Sequence, residues 1–167
     1  ALADRLERAV VVVSSKSGST VETDSQRRAF EAAFREADIE PGERMVAVTD
    51  TGSSLAALAQ ASGYRRVFLA DSSVGGRYSA LTAFGLVPSG LAGADIGRLL
   101  DEAVAIQPIL EFDFVDNPAV RLGALLGVAN AQGVDKLVLA DNGSGIPGFG
   151  DWAEQLVAES TGKNDKG

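Results

Sequence analysis

The 167-residue sequence contains no cysteine and no histidine. Without cysteine there can be neither a disulfide nor a thiolate nucleophile, and metal sites built on histidine or cysteine are excluded. Chemistry within this chain must therefore use carboxylates, lysine, arginine, tyrosine or hydroxyl groups. No run of about 18 apolar residues is present, so we expect no membrane span. The first residues lack the basic and then apolar pattern of a secretion signal, and we expect none.

The charge balance is acidic, with a formal net charge of -8 at pH 7. No cluster of lysine and arginine interrupts this acidity, which argues against a nucleic-acid partner. The hydrophobic content of 46% and the 19 glycines are typical of an α/β domain with tight turns between strands and helices. We expect one domain over residues 1–160 and a polar tail over residues 161–167.

An abrupt change of composition follows the first apolar segment. Residues 10–13 are four valines, and residues 14–20 read Ser-Ser-Lys-Ser-Gly-Ser-Thr. The β-branched run predicts a buried strand of a parallel sheet. Ser19 and Glu22 have the spacing of a capping box, which predicts a helix start there. Hydroxyls and N–H groups at a helix start suit one phosphate, but serine-rich caps without a ligand are as common.

The order strand, small-residue turn, helix occurs three times in succession. This order predicts a parallel sheet with right-handed crossovers, and its turns should meet at the carboxyl ends of the strands. The predicted strands cover residues 10–13, 45–49 and 66–70, and the turns cover residues 14–20, 50–54 and 71–76.

The second half of the sequence predicts further helices and one more strand. We expect Pro88 to end a helical turn, and Asn117 with Pro118 to begin a helix. We expect Tyr78 in the core. The helices are predicted over residues 89–106, 118–131 and 152–160, and the strand over residues 136–140. The residues expected to face inward are Leu91, Leu99, Leu100 and Val104 of the first of these helices and Leu122, Leu125 and Leu126 of the second.

Three segments carry a resemblance to a known family. Residues 72–85, and above all Val74-Gly-Gly-Arg-Tyr-Ser79, resemble the signature of glucose-6-phosphate isomerases, although Phe84 departs from it. Residues 15–23 are similar to the sugar-phosphate loop of that family, and residues 152–163 to its Gln-x-x-x-Glu segment. The three segments occur in the family's order, and the sequence looks like the actinobacterial members.

The resemblance implies a sugar isomerase (SIS) domain, a flavodoxin-like three-layer α/β/α sandwich with a mainly parallel sheet. It implies reversible conversion of glucose 6-phosphate into fructose 6-phosphate, a step of glycolysis and gluconeogenesis, without metal or cofactor. It also implies a cytoplasmic location and a homodimer of the full-length protein, with a sugar phosphate as the small-molecule partner.

The resemblance also assigns roles to individual residues. Glu159 is the expected base, which moves a proton between C1 and C2 through a cis-enediol(ate), and Arg77 stabilises the negative charge that develops. The expected substrate-binding residues are Ser15, Lys16, Ser17, Gly18, Ser19, Thr20, Gly76 and Gln155. Glu159 could instead be a solvated charge at a helix end, Arg77 could pair with Asp50 or Asp71, and the Lys16 side chain could be idle.

The sequence lacks parts that the family supplies. Those parts are a histidine for ring opening, a lysine near the C-terminus and a Gly-x-Gly-Gly-Ser segment before the first motif. We therefore expect a piece of a longer isomerase that is weak or inactive alone. Two alternatives are a non-catalytic SIS module that binds a phosphosugar for regulation, and an SIS isomerase that acts on another sugar phosphate.

Overall fold

The computed structural model describes residues 3–162. Contacts divide the chain into two compact units, Ala1–Ile96 and Gly97–Gly167, and each is described by itself. Over the described range, no helix is both long and apolar enough to cross a membrane. Apart from Thr161 and Gly162, the predicted polar tail lies outside the described residues. The single domain over residues 1–160 stays a prediction.

A parallel sheet of three strands forms the centre of the first unit. The strands lie in the order β1 (Val11–Ser14), β2 (Met45–Asp50) and β3 (Arg66–Ala70). In the register, Val13 lies beside Ala47 and Val48 beside Phe68. The central strand β2 is buried up to its last residue, as expected for a strand flanked on both sides and covered on both faces. The predicted parallel α/β fold is confirmed.

Helices lie on both faces of this sheet. The first unit contains α1 (Val21–Glu36), the short α2 (Pro41–Arg44), α3 (Ser54–Ala61) and α4 (Ala83–Leu91), and two 3-10 helices, Ala3–Arg8 and Gly76–Leu81.

Successive residues of β2 point to opposite faces and pack against different helices. Ala47 belongs to a core cluster with Phe34 of α1 and Ala59 of α3, all three fully buried. Val46 lines a groove with Leu86 of α4 on the other face. The first unit therefore has the layers helix, sheet, helix.

The start of α1 differs from the predicted capping box. The N-cap residue is Thr20, and its side chain makes no capping hydrogen bond. The hydroxyl of Ser19 pairs with that of Ser17 at 2.8 Å, and the hydroxyl of Thr20 pairs with that of Ser15 at 3.2 Å. The prediction was wrong because the hydroxyls bond one another within the loop rather than cap the helix.

The prediction at Pro88 is also wrong, since α4 continues through it to Leu91. Proline has no N–H, so Pro88 removes one hydrogen bond from the helix. The N-terminal end of the helix is nevertheless capped, because Thr82 Oγ1 accepts a hydrogen bond from the N–H of Phe84 at 3.3 Å. The next helix begins at Ile96 rather than at residue 89. Tyr78 is 61% exposed and does not belong to the core.

The second unit is built from helices. These are α5 (Ile96–Glu111), α6 (Pro118–Ala131) and α7 (Phe149–Thr161). The predicted cap at Asn117 is confirmed, because its side chain accepts hydrogen bonds from the N–H groups of Ala119 and Val120. Helix α7 begins at Phe149 behind the N-cap residue Gly148, and Asp151 lies in its first turn.

Two other predictions for the second unit are wrong. No strand forms over residues 136–140, where the structure has an irregular segment without ladder hydrogen bonds and Val138 is 83% exposed. The apolar side chains expected to face inward lie on the surface. In the second unit they are Leu99, Leu100 and Val104 of α5 and Leu122, Leu125 and Leu126 of α6, and in the first unit Leu91 at the end of α4 is exposed as well. An apolar stripe in the sequence predicts a helix, but it does not show which element packs against that stripe.

Candidate functional site

The first unit brings three loops together at the carboxyl ends of its strands. They are the serine loop (residues 14–20) after β1, the turn after β2, and the glycine loop (residues 71–77) after β3. Ligands bind at this edge in open α/β sheets. The predicted convergence is confirmed by the hydrogen bonds that connect the loops.

Thr49 is fully buried near the end of β2, and its side chain is hydrogen-bonded to the serine loop. Its hydroxyl donates to the carbonyl of Ser15 at 2.7 Å and pairs with the hydroxyl of Ser53 at 2.7 Å. The N–H of Asp50 donates to the carbonyl of Lys16 at 3.2 Å. The backbone of the serine loop is therefore fastened to the central strand.

Hydrogen bonds also form between residues of the serine loop. The hydroxyl of Ser15 accepts from the N–H of Gly18 at 3.1 Å, and the hydroxyl of Ser17 accepts from the N–H of Ser19 at 3.2 Å. Together with the hydroxyl pairs described above, these hydrogen bonds stabilise the conformation of the loop.

Gly18 allows the loop to lie against helix α3. Its φ is +74°, in the left-handed region that favours glycine. A Cβ atom there would lie 2.5 Å from the backbone nitrogen of Leu55 and 2.7 Å from Oγ of Ser54. The position therefore has room for glycine alone.

The ammonium group of Lys16 connects all three loops. It donates to the Val74 carbonyl at 2.7 Å and pairs with the Asp50 carboxylate, at 2.9 Å to Oδ2 and 3.1 Å to Oδ1. It also lies 5.5 Å from the centroid of the Phe84 ring, within reach of a cation–π interaction. The Lys16 side chain is therefore engaged, and the idea that it is idle is set aside.

The glycine loop places Gly76 next to Lys16. A Cβ atom on Gly76 would lie 3.8 Å from Cδ of Lys16, so the two residues are neighbours. Asp71, at the base of the loop, accepts from the N–H of Ser73 at 2.8 Å and from its hydroxyl at 2.7 Å. These hydrogen bonds hold the pKa of Asp71 below its usual range. The half-buried Arg77 is the second residue of the 3-10 helix that begins at Gly76.

The second unit contains the other two predicted residues. Nε2 of Gln155 donates to Oε1 of Glu159 at 3.0 Å, one turn apart on α7, and both residues are exposed. This bond orients the carboxylate of Glu159. The roles predicted for Gln155, Glu159 and Arg77 in one site stay predictions.

A cavity of about 520 Å³ between α1 and α3 borders the inner side of the serine loop, and Ser15, Gly18 and Ser19 line part of it. Within residues 3–162, no group of three or more carboxylates is arranged to hold a metal ion. The absence of a cofactor remains a prediction.

An ionic network that was not predicted from the sequence lies along this cavity. Arg27, 8% exposed, donates to Glu31 at 2.7 Å and to Asp24 at 2.6 Å. The hydroxyl of Tyr64 donates to the same Glu31 carboxylate at 2.8 Å. Burial, with the bond to Glu31, raises the pKa of Tyr64 to about 12. The spacing of Asp24, Arg27 and Glu31 along one helix face was the available signal.

The chain is similar to proteins named glucose-6-phosphate isomerase. No model of a protein family matches it. The chain is 35% identical over 167 residues to the glucose-6-phosphate isomerase of Cyanothece sp., covering 95% of the chain and 30% of that protein. It is 34% identical over 160 residues to that of Streptococcus pyogenes, covering 94% of the chain and 36% of that protein.

Solved structures give the same result. A glucose-6-phosphate isomerase from Chlamydia trachomatis matches 75% of this chain with a TM-score of 0.63 and 34% identity, over 24% of its own length. A hypothetical protein of Thermus thermophilus matches 78% with a TM-score of 0.71 and 29% identity, over 32% of its own length. The chain spans about a third of the length of the curated relatives. The resemblance carried by the three motifs is thus confirmed: along nearly its whole length, the chain is similar to a segment of glucose-6-phosphate isomerases.

Proposed function

We propose that this chain is part of an aldose–ketose isomerase that interconverts glucose 6-phosphate and fructose 6-phosphate. The observation that carries the proposal is the edge of the first unit, where Thr49 fastens the serine loop to β2 and Lys16 bonds it to the loop of Gly76 and Arg77. Similarity to proteins named glucose-6-phosphate isomerase supports the substrate class. The cytoplasmic location and the homodimer of the whole protein stay predictions.

The serine loop would hold the phosphate. Its hydroxyls and N–H groups, at the N-terminal end of α1, offer donors and a positive dipole end to a dianion. This local arrangement works against the acidic field of the whole chain, whose formal net charge is -8. Binding energy from the phosphate, which does not react, can then position C1 and C2.

Glu159 and Arg77 would carry out the isomerisation. From aldose to ketose, the carboxylate of Glu159 removes the proton from C2 and returns it to C1, while a proton passes from O2 to O1. The guanidinium of Arg77 stabilises the negative charge of the enediolate between these transfers. Gln155, bonded to the carboxylate at 3.0 Å, holds the base in position. Because the chain has no histidine, we expect slow ring opening and weak activity of this chain alone.

The substitution Glu159→Gln tests the base. Fructose 6-phosphate in D₂O allows loss of the C1 proton to be followed by NMR, in this chain and in a longer protein that contains it. We expect turnover to fall by about 10²–10⁴-fold, because general base catalysis contributes that much. The Kd for fructose 6-phosphate should change less than about threefold, because the amide keeps the size and the hydrogen bond of the carboxyl group.

Glu154→Gln, at an exposed glutamate of the same helix, is the matched control and should exchange the proton at the normal rate. Near-normal turnover in Glu159→Gln would show that Glu159 is not the base. Tight binding of the sugar phosphate without turnover, in both the chain and the longer protein, would favour the non-catalytic phosphosugar-binding module.

A further inference from the structure

We propose that Lys16 is a positioning residue whose ammonium group fastens the serine loop to the glycine loop and does not bind the phosphate. The proposal deepens the proposed function and rests on it for the effect on the sugar phosphate. The connection between the loops can be tested without any ligand.

The ammonium group of Lys16 already has partners in both neighbouring loops. Lysine has three N–H donors, and here its partners are the Val74 carbonyl at 2.7 Å and the Asp50 carboxylate at 2.9 Å. The ring of Phe84 lies 5.5 Å away. Phe84 is the residue at which the signature motif departs from the family. The partners of Lys16 therefore come from the end of β2, from the glycine loop and from α4.

The charges of Lys16 and Asp50 also favour the present position of the ammonium group. Asp50 neutralises Lys16, so the pair presents little net charge to a dianion. The Asp50 side chain is 14% exposed and that of Lys16 is 30% exposed. If the ammonium group turned to a phosphate, a largely buried carboxylate would lose its counter-ion, which is unfavourable. The ammonium group is thus more stable where it is.

The backbone of Lys16 is hydrogen-bonded to β2, in addition to the contacts of its side chain. Its carbonyl accepts from the N–H of Asp50 at 3.2 Å and from the hydroxyl of Thr49 at 3.2 Å. A residue fixed at both ends transmits position between the elements that it joins. Lys16 therefore sets the distance from the serine loop to Gly76 and Arg77, which would determine where the sugar lies.

The substitution Lys16→Met removes the ammonium group and keeps the length of the side chain. Amide hydrogen exchange is measured at Val74 and Tyr78, whose N–H groups bond within the glycine loop. We expect exchange there to accelerate at least tenfold without acceleration in β2. The Kd for inorganic phosphate should change less than threefold, whereas kcat for fructose 6-phosphate should fall at least tenfold.

Two further variants separate positioning from a general loss of charge. Lys16→Arg can still donate to both partners and should restore most of the exchange protection and of kcat. Lys136→Met removes one positive charge from an exposed lysine of the second unit and should change none of these measurements.

The outcomes separate this inference from the proposed function. A tenfold loss of inorganic phosphate affinity in Lys16→Met would overturn the inference, because Lys16 would then bind the phosphate. Unchanged exchange at Val74 and Tyr78 would also overturn it. If the unsubstituted chain and a longer protein bind neither phosphate nor fructose 6-phosphate, the proposed function fails, and the exchange data alone decide whether Lys16 connects the loops.

Discussion

Gly18 provides the sharpest test of the shape of the serine loop. Its φ of +74° is a left-handed conformation, which costs an L-residue about 1–2 kcal/mol. In addition, an alanine Cβ would lie 2.5 Å from the nitrogen of Leu55 and 2.7 Å from Oγ of Ser54. Relieving this overlap requires movement of backbone, for which overpacking costs of about 1–3 kcal/mol are typical. Gly18→Ala should therefore lose about 2–5 kcal/mol of unfolding free energy.

Gly52→Ala is the matched control. Gly52 has nearly the same φ, +77°, in the turn after β2, but a Cβ atom there would have no neighbour within 4 Å. We expect this variant to lose only the conformational part, about 1–2 kcal/mol. The difference between the two variants then measures the contact of the serine loop with α3.

Urea unfolding followed by circular dichroism gives both free energies, and calorimetry gives the Kd for fructose 6-phosphate. Gly18→Ala should weaken binding at least tenfold at a temperature where it is still folded, whereas Gly52→Ala should bind normally. Equal destabilisation by the two alanines, with binding intact in both, would refute the close approach of the serine loop to Leu55.

Two other features of the structure predict measurable changes in stability. Because the pKa of Tyr64 is raised to about 12, its neutral form stabilises the folded chain fully below pH 10, and this contribution is lost between pH 10 and 12. Tyr64→Phe should therefore flatten the alkaline fall in unfolding free energy, while Tyr78→Phe should keep it; equal slopes would contradict the bond to Glu31. Asn117 is 3% exposed, caps α6 and donates to two carbonyls near the end of α5, so Asn117→Ala should lose about 2–4 kcal/mol in thermal unfolding. Asn117→Asp, which keeps the cap and loses the donors, should lie between, and an alanine variant as stable as the parent would contradict this account.

The first unit could be predicted because its signals are local. Four valines in succession, a polar turn and a helical pattern specify β1 and α1 with few alternatives. The same holds for β2 and β3, whose parallel direction follows from the helical connections between the strands. The meeting of the three loops then follows from the direction of the strands.

The wrong predictions come from contacts that local patterns do not contain. The capping box at Ser19 competes with hydroxyl pairs inside the loop, and residues 136–140 have strand composition but no neighbouring strand among the described residues. The exposed leucines of α5 and α6 show that an apolar face is visible in a sequence while its cover is not.

The partners of the Lys16 side chain were beyond prediction for a similar reason. Its ammonium group bonds to residues 34 and 58 positions away, which only the assembled sheet brings together. The same limit applies to Tyr64 and Glu31, which are separated by 33 positions. In both cases the sequence contained the charges and hydroxyls, and the fold decided which of them meet.

The serine loop is proposed to bind the phosphate of a sugar phosphate. Titration of the ¹⁵N-labelled chain with fructose 6-phosphate, followed by amide NMR, tests it most directly. We expect saturable shifts for the amides of residues 16–20 and for Gly76, and none of these shifts with unphosphorylated fructose at the same concentrations. Saturable binding that leaves residues 16–20 unshifted, or equal shifts with fructose, would contradict it.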